Sequence, residues 1–142
     1  MNAGILEKLK RGAERVFAAT DIVVAYAHGS RVHGTARKDS DIDVGYYLAP
    51  SLPRPSLPLR DELALEAELT NAAGIEVDLR NLGSAPLELK GRVLEEGVRL
   101  YCGDESARVA IETAVLARYH DYKPMFAAMH TARLAPATRE AP

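Results

Sequence analysis

Apolar residues recur at helical spacing from about Asn2 to Ala19, at Ile5, Leu6, Leu9, Ala13, Val16 and Phe17, with charges between them. That periodicity predicts an amphipathic helix. Gly12 falls inside it and weakens it by about 1 kcal/mol. Ile22-Val23-Val24-Ala25-Tyr26-Ala27-His28 is a continuous apolar run, the pattern of a strand covered on both faces. It stops at Gly29-Ser30, and a polar segment with room for a short helical turn leads to Ser40. Asp41 to Leu48 then alternates over its first half and reads as a second strand.

Four of the eight prolines fall between Ala49 and Pro58 and exclude regular structure there. Helical spacing returns from Leu59 to Ala73, with Gly74 as its stop. Ile75-Glu76-Val77-Asp78-Leu79 alternates as a third strand. Pro86 suits the first turn of a helix that runs to about Glu96 and stops at Gly97. Val98 to Tyr101 is a short fourth strand. From Glu105 the chain is mostly helical, interrupted or kinked near Pro124, and it frays from Ala135.

Helices alternating with strands predict an α/β (α+β) domain, with a central sheet of about four strands flanked by helices and a helical C-terminal segment. The expected organisation is a single domain over 1–134 and a tail over 135–142. At 142 residues, 47% hydrophobic and 27% charged, the chain can bury a core. Eighteen Lys and Arg against twenty Asp and Glu give a net charge of −2, which argues against a broad basic face for nucleic acid. No apolar run is long enough for a membrane helix. One cysteine, Cys102, makes neither an internal disulfide nor a thiolate zinc site. The expected setting is the cytoplasm.

The informative stretch runs from Gly29 to Asp43. Side chains two apart on a strand share a face, so Asp41 and Asp43 point one way while Ile42 and Val44 point into the core. Two carboxylates on one face, their Cα atoms roughly 6.5 Å apart, repel unless a cation lies between them. Hard oxygen ligands of this kind suit Mg²⁺ together with phosphate oxygens. On the third strand Glu76, Asp78 and Arg80 form the polar face. Beside the first pair, Asp78 would complete a three-carboxylate cluster, with Glu76 as its rival. Gly29-Ser30 ends a strand where backbone N–H groups and a small hydroxyl can approach a phosphate. No Walker-type G-x-x-x-x-G-K-[ST] motif occurs. A phosphate cradle on one strand end and metal-binding carboxylates on the next describe nucleotidyl transfer.

Gly29-Ser30, ten residues, then Asp41-Ile42-Asp43 resembles the GS-x₁₀-D-x-D signature of the polymerase-β-like nucleotidyltransferases. With Val77-Asp78-Leu79 and Gly97-Val98-Arg99-Leu100-Tyr101, the stretch from Asp21 to Tyr101 is similar to the minimal nucleotidyltransferases (MNT), antitoxins of HEPN–MNT (type VII) toxin–antitoxin pairs. The resemblance implies transfer of AMP from ATP to a tyrosine of a partner HEPN ribonuclease toxin. It also implies a hetero-oligomer with that toxin and no stable nucleic-acid binding. Carried over, Gly29 and Ser30 would hold the triphosphate, with Arg31 as a further contact. Asp41 and Asp43 would bind Mg²⁺. Asp78 would activate the incoming hydroxyl or hold a second metal. A small-molecule hydroxyl as acceptor, and a non-catalytic antitoxin acting by occlusion, remain alternatives.

Other residues carry blander readings. Arg37 and Lys38 read as a solvated patch. His28, His33, His120 and His130 lack metal-ligand spacing, although His28 abuts the glycine of the loop. Tyr46 and Tyr47 read as strand aromatics, one of them near a nucleotide base at most. The apolar surplus of the last helix, including Tyr119, Met125 and Met129, is a candidate partner surface.

Overall fold

A computed structural model of the chain describes residues 3–29, 41–51 and 56–134. The elements are α1 (Ala3–Phe17), β1 (Ile22–His28), β2 (Ile42–Leu48), α2 (Leu59–Ala73), β3 (Val77–Asn81), a single 3₁₀ turn (Leu82–Ser84), α3 (Leu87–Glu96), β4 (Val98–Cys102) and α4 (Glu105–Leu134). The expected helical turn before Ser40, part of the proline-rich loop and the tail over 135–142 lie outside the described residues.

The strands form one sheet in the order β3-β2-β1-β4. β1 runs antiparallel to β2 and β4, whereas β2 and β3 are parallel, so the sheet is mixed. Alternation along β2 sorts the two layers. Ile42, Val44, Tyr46 and Leu48 join Leu9, Ala13 and Phe17 of α1 and Leu69 and Ala73 of α2 in one core cluster. Tyr47 joins Val24 and Tyr26 of β1, Leu82 and Val93 of α3 in the other. Helices therefore cover both faces, which is why β1 reads as an unbroken apolar run.

Close approaches explain two glycines. Gly12 is buried, and a Cβ there would lie 2.6 Å from the Ala72 Cβ, so the weakened turn of α1 is where α2 comes nearest. At Gly91 a Cβ would overlap the Tyr119 ring, which fixes α3 against α4.

β3 is an edge strand whose outward N–H groups need partners. Side chains of α2 supply them: Leu79 N–H donates to Glu66 Oε2 at 2.9 Å, and Val77 N–H to Thr70 Oγ1 at 3.0 Å. The Tyr46 hydroxyl donates to Glu62, tying α2 to β2 as well. This edge is closed by a helix.

The third strand begins two residues later than its alternation suggests and runs on to Asn81, because pairing with β2 starts at Ile42 opposite Val77. The expected interruption at Pro124 does not occur; α4 passes through it as one helix. Proline removes one helical hydrogen bond, but contacts on both sides hold the segment to its neighbours. Lys123 Nζ reaches Glu95 Oε1 of α3 at 2.9 Å before the proline, and His130 meets Glu88 of α3 beyond it.

Candidate active site

The site lies where β1 ends and β2 begins. Gly29 follows the last residue of β1 in the left-handed region, φ +92°, which side chains rarely adopt. A Cβ at Gly29 would overlap Asp43 Oδ2. The glycine is thus needed twice: for the turn that leaves the strand, and to leave the Asp43 carboxylate its place. Ser30 and Arg31 lie outside the described residues.

The strand register assembles a row across the sheet. His28 of β1 is opposite Asp43 of β2, and Asp43 is opposite Asp78 of β3. Directly paired residues share a face, so imidazole and two carboxylates stand side by side on the α3 side of the sheet. Both Asp43 and Asp78 are half-buried, while Asp41 precedes the strand and is exposed. Ile42 and Val44 are fully buried on the opposite face, as the alternation predicts. Glu76 is exposed and contributes its backbone carbonyl, accepting from Ile42 N–H at 2.9 Å.

The electrostatics follow from this crowding. The Asp43 carboxyl is raised above the ordinary carboxylate range, first by burial and then by the negative charges of Asp78 and Asp41, with His28 and Arg80 acting oppositely. Burial holds His28 below its usual value, reinforced by Arg80 and Arg92 and opposed by Asp43 and Asp78. Its buried Nε2 has no hydrogen-bond partner among the described residues. Arg80 Nε donates to Asp78 Oδ2 at 3.3 Å, a half-exposed ion pair worth under about 1 kcal/mol to the fold.

Among the described residues no three His, Cys, Asp or Glu side chains form a ready-made metal-binding group. Asp43 and Asp78 adjoin as the sequence suggests, but Asp78 is engaged by Arg80 and Asp41 stands out in solvent. The donor set still suits a hard divalent cation: carboxylate oxygens whose mutual repulsion a cation would relieve. Sequence reasoning gave no role to Arg80 or Arg92, and read His28 only as a neighbour of the loop glycine. Arg80 was legible as the residue two beyond Asp78 on the same strand face; His28 becomes evident only through the β1–β2 register.

Tyr46 is fully buried on the α2 side and Tyr47 lies in the core beneath α4, so neither ring is open at this end of the sheet. No described helix is long and apolar enough to cross a membrane.

Residues 7–106 match the family model described as polymerase beta, nucleotidyltransferase. No curated protein matches the chain. Among solved structures, it is similar to a chain of a toxin–antitoxin crystallised with AMP-PNP, at 22% identity and a TM-score of 0.64, covering 92% of this chain and 98% of that one. It is similar to a chain of the MntA–HepT toxin–antitoxin, at 20% identity and a TM-score of 0.60, covering 92% and 97%. A third likeness is to a chain of the tri-AMPylated Shewanella oneidensis HEPN toxin in complex with its MNT antitoxin, at 19% identity and a TM-score of 0.64, covering 92% and 99%. At these identities the likeness is one of fold.

Proposed function

The chain belongs to the polymerase β nucleotidyltransferase family, and from that premise we propose that it is an MNT antitoxin that transfers AMP from ATP to a tyrosine of a HEPN ribonuclease toxin. The observation that carries the reading is the parallel register setting Asp43 beside Asp78, with Gly29 cleared against the same carboxylate. Support for the partner comes from structures of the same fold, one holding AMP-PNP and one an AMPylated HEPN toxin. We assign the reaction to the cytoplasm, where ATP is available.

Asp41 and Asp43 would hold Mg²⁺, with Asp78 as the further carboxylate. The ion would neutralise triphosphate charge and help align the α-phosphorus. The chain's own residues do the positioning. In this reading Gly29, with Ser30, would present backbone N–H groups to the phosphates, and Arg31 would add a contact. Asp78 faces the incoming tyrosine hydroxyl and takes its proton. The phenolic oxygen bonds to the α-phosphorus, the bond to the bridging oxygen breaks, and pyrophosphate leaves. Arg80 must release Asp78 for that role, and the weak, half-exposed pair makes the release cheap.

Incubation of the chain with ATP, Mg²⁺ and a HEPN toxin, followed by intact-mass measurement, tests this. A toxin mass gain of one or more AMP units on tyrosine is expected. A toxin silenced with no mass gain would instead establish occlusion, and a gain on a small hydroxyl compound alone would change the acceptor.

A further inference from the structure

We propose that Arg92 of α3 binds the β- and γ-phosphates of the nucleotide and carries the charge of pyrophosphate as it departs. The inference rests on the reading of the site as one of ATP-dependent nucleotidyl transfer, and it adds a residue outside the Gly29-Ser30 and Asp41-Ile42-Asp43 motif.

The last turn of α3 is clamped to the end of β1. A Cβ at Gly97 would lie 2.5 Å from the Val93 carbonyl oxygen and 2.8 Å from that of Ala27, so only glycine lets helix and strand close on each other. Ala27 is followed by His28 and Gly29. The helix is therefore held beside the strand end that leads to the phosphates.

The phase of α3 decides which flank faces that end. Gly91 packs against Tyr119 of α4, and Val93 is buried in the core with Val24 and Tyr26 of β1. Lys90 lines a cavity with Tyr47, Pro50 and Ile111, at the far end of β2 from Asp43. Two residues further on, at about 100° per residue, Arg92 is turned to the opposite flank, toward the end where β2 begins.

The charges agree with this placement. His28 feels the guanidinium of Arg92, whereas the main influences on Asp43 beyond burial are His28, Asp78, Arg80 and Asp41. Arg92 thus stands toward the β1 side of the row, away from Asp78. It is also uncommitted. Arg92 is exposed and makes no ion pair with a described residue. Two carboxylates one turn away on α3 are taken by α4, Glu88 by His130 and Glu95 by Lys123. Arg80, the other guanidinium near the row, is held by Asp78.

A cation at this position answers a need of the chemistry. Asp41, Asp43 and Asp78 put negative charge at a site that must accept a polyphosphate. When the phenolic oxygen bonds to the α-phosphorus, the electron pair of the broken bond stays on the bridging oxygen, and pyrophosphate gains that charge. A planar guanidinium meets two phosphate oxygens at once and keeps its proton throughout.

Two measurements on the full chain test the assignment. Binding of α,β-methylene-ATP, which carries three phosphates but cannot release pyrophosphate, is followed by calorimetry with Mg²⁺. Arg92→Gln should weaken it about 10- to 100-fold, and Arg92→Lys should recover part of that loss. Pyrophosphate, added as an inhibitor of AMP transfer to a HEPN toxin, should be needed at a concentration higher by a similar factor in Arg92→Gln than in the parent. Arg60→Gln makes the same charge change on α2, across the sheet, and should match the parent in both measurements. Equal affinity for the analogue in the parent and Arg92→Gln overturns the inference and leaves the transfer reaction standing; so does equal affinity in Arg92→Lys where the glutamine variant does not fold. A loss of analogue binding with unchanged pyrophosphate inhibition puts the guanidinium elsewhere on the nucleotide and overturns it too. A parent that neither binds the analogue nor labels a toxin removes the reading on which the inference rests.

Discussion

The absent side chain of Gly29 is what leaves room for the Asp43 carboxylate: any Cβ there would overlap its Oδ2. Gly29→Ala therefore does two separable things. It places alanine at φ +92°, costing about 1–3 kcal/mol, and it pushes Asp43 out of line with Asp78. The expected outcome is a urea midpoint lowered by that amount and AMP transfer reduced far more than the small rise in unfolded fraction explains. Single-turnover transfer at a temperature where the variant is fully folded checks this.

Asp43→Asn should separate function from stability. A carboxyl whose folded-state value is raised stabilises the fold most below its ordinary value of 3.8, and that contribution is lost as pH rises through the folded value. At pH 7 the ionised Asp43 is a burden on the metal-free fold, and asparagine removes it. The urea midpoint of the metal-free variant should be no lower than that of the parent at pH 7, with the difference closing below about pH 4. Transfer should be abolished.

Glu66 reaches the site only through the sheet edge. It accepts the Leu79 N–H at 2.9 Å, one residue beyond Asp78. Glu66→Ala leaves that edge donor without its carboxylate and should cost about 1–3 kcal/mol in chemical denaturation. Glu66→Gln, which keeps an acceptor oxygen, should recover most of the loss. Equal losses in both variants would show that charge rather than the hydrogen bond matters.

Arg80 should oppose the cation. With its guanidinium 3.3 Å from Asp78 Oδ2, it competes for the oxygen a divalent ion would use. Arg80→Gln should tighten Mg²⁺ binding in calorimetry of the nucleotide-free protein and change stability by less than about 1 kcal/mol. Weaker Mg²⁺ binding in this variant would mean that Asp78 plays no part in holding the ion.

Much of this architecture is readable from spacing alone. The run Ile22–His28, the alternation at Ile42–Val44 and the stop at Gly74, φ +77°, each reflect a local rule that the packing respects. What spacing cannot carry is register. Asp43 and Asp78 are 35 positions apart in the sequence, and only the parallel β2–β3 pairing sets them side by side. His28 is hidden for the same reason. Pro124 shows the reverse, a strong local signal overridden by contacts of α4 with α3 on either side. Gly97 also ends its helix by a different route than a left-handed cap: its backbone is extended, and a Cβ would meet the carbonyl oxygens of Val93 and Ala27 at 2.5 and 2.8 Å.

The most direct test of the central claim is transfer of label from ATP radioactive at the α-phosphate, in the presence of Mg²⁺ and a HEPN toxin. The parent chain should label the toxin, and Asp41→Ala and Asp43→Ala, both folded by circular dichroism, should leave it unlabelled. Undiminished labelling in either variant would contradict the account.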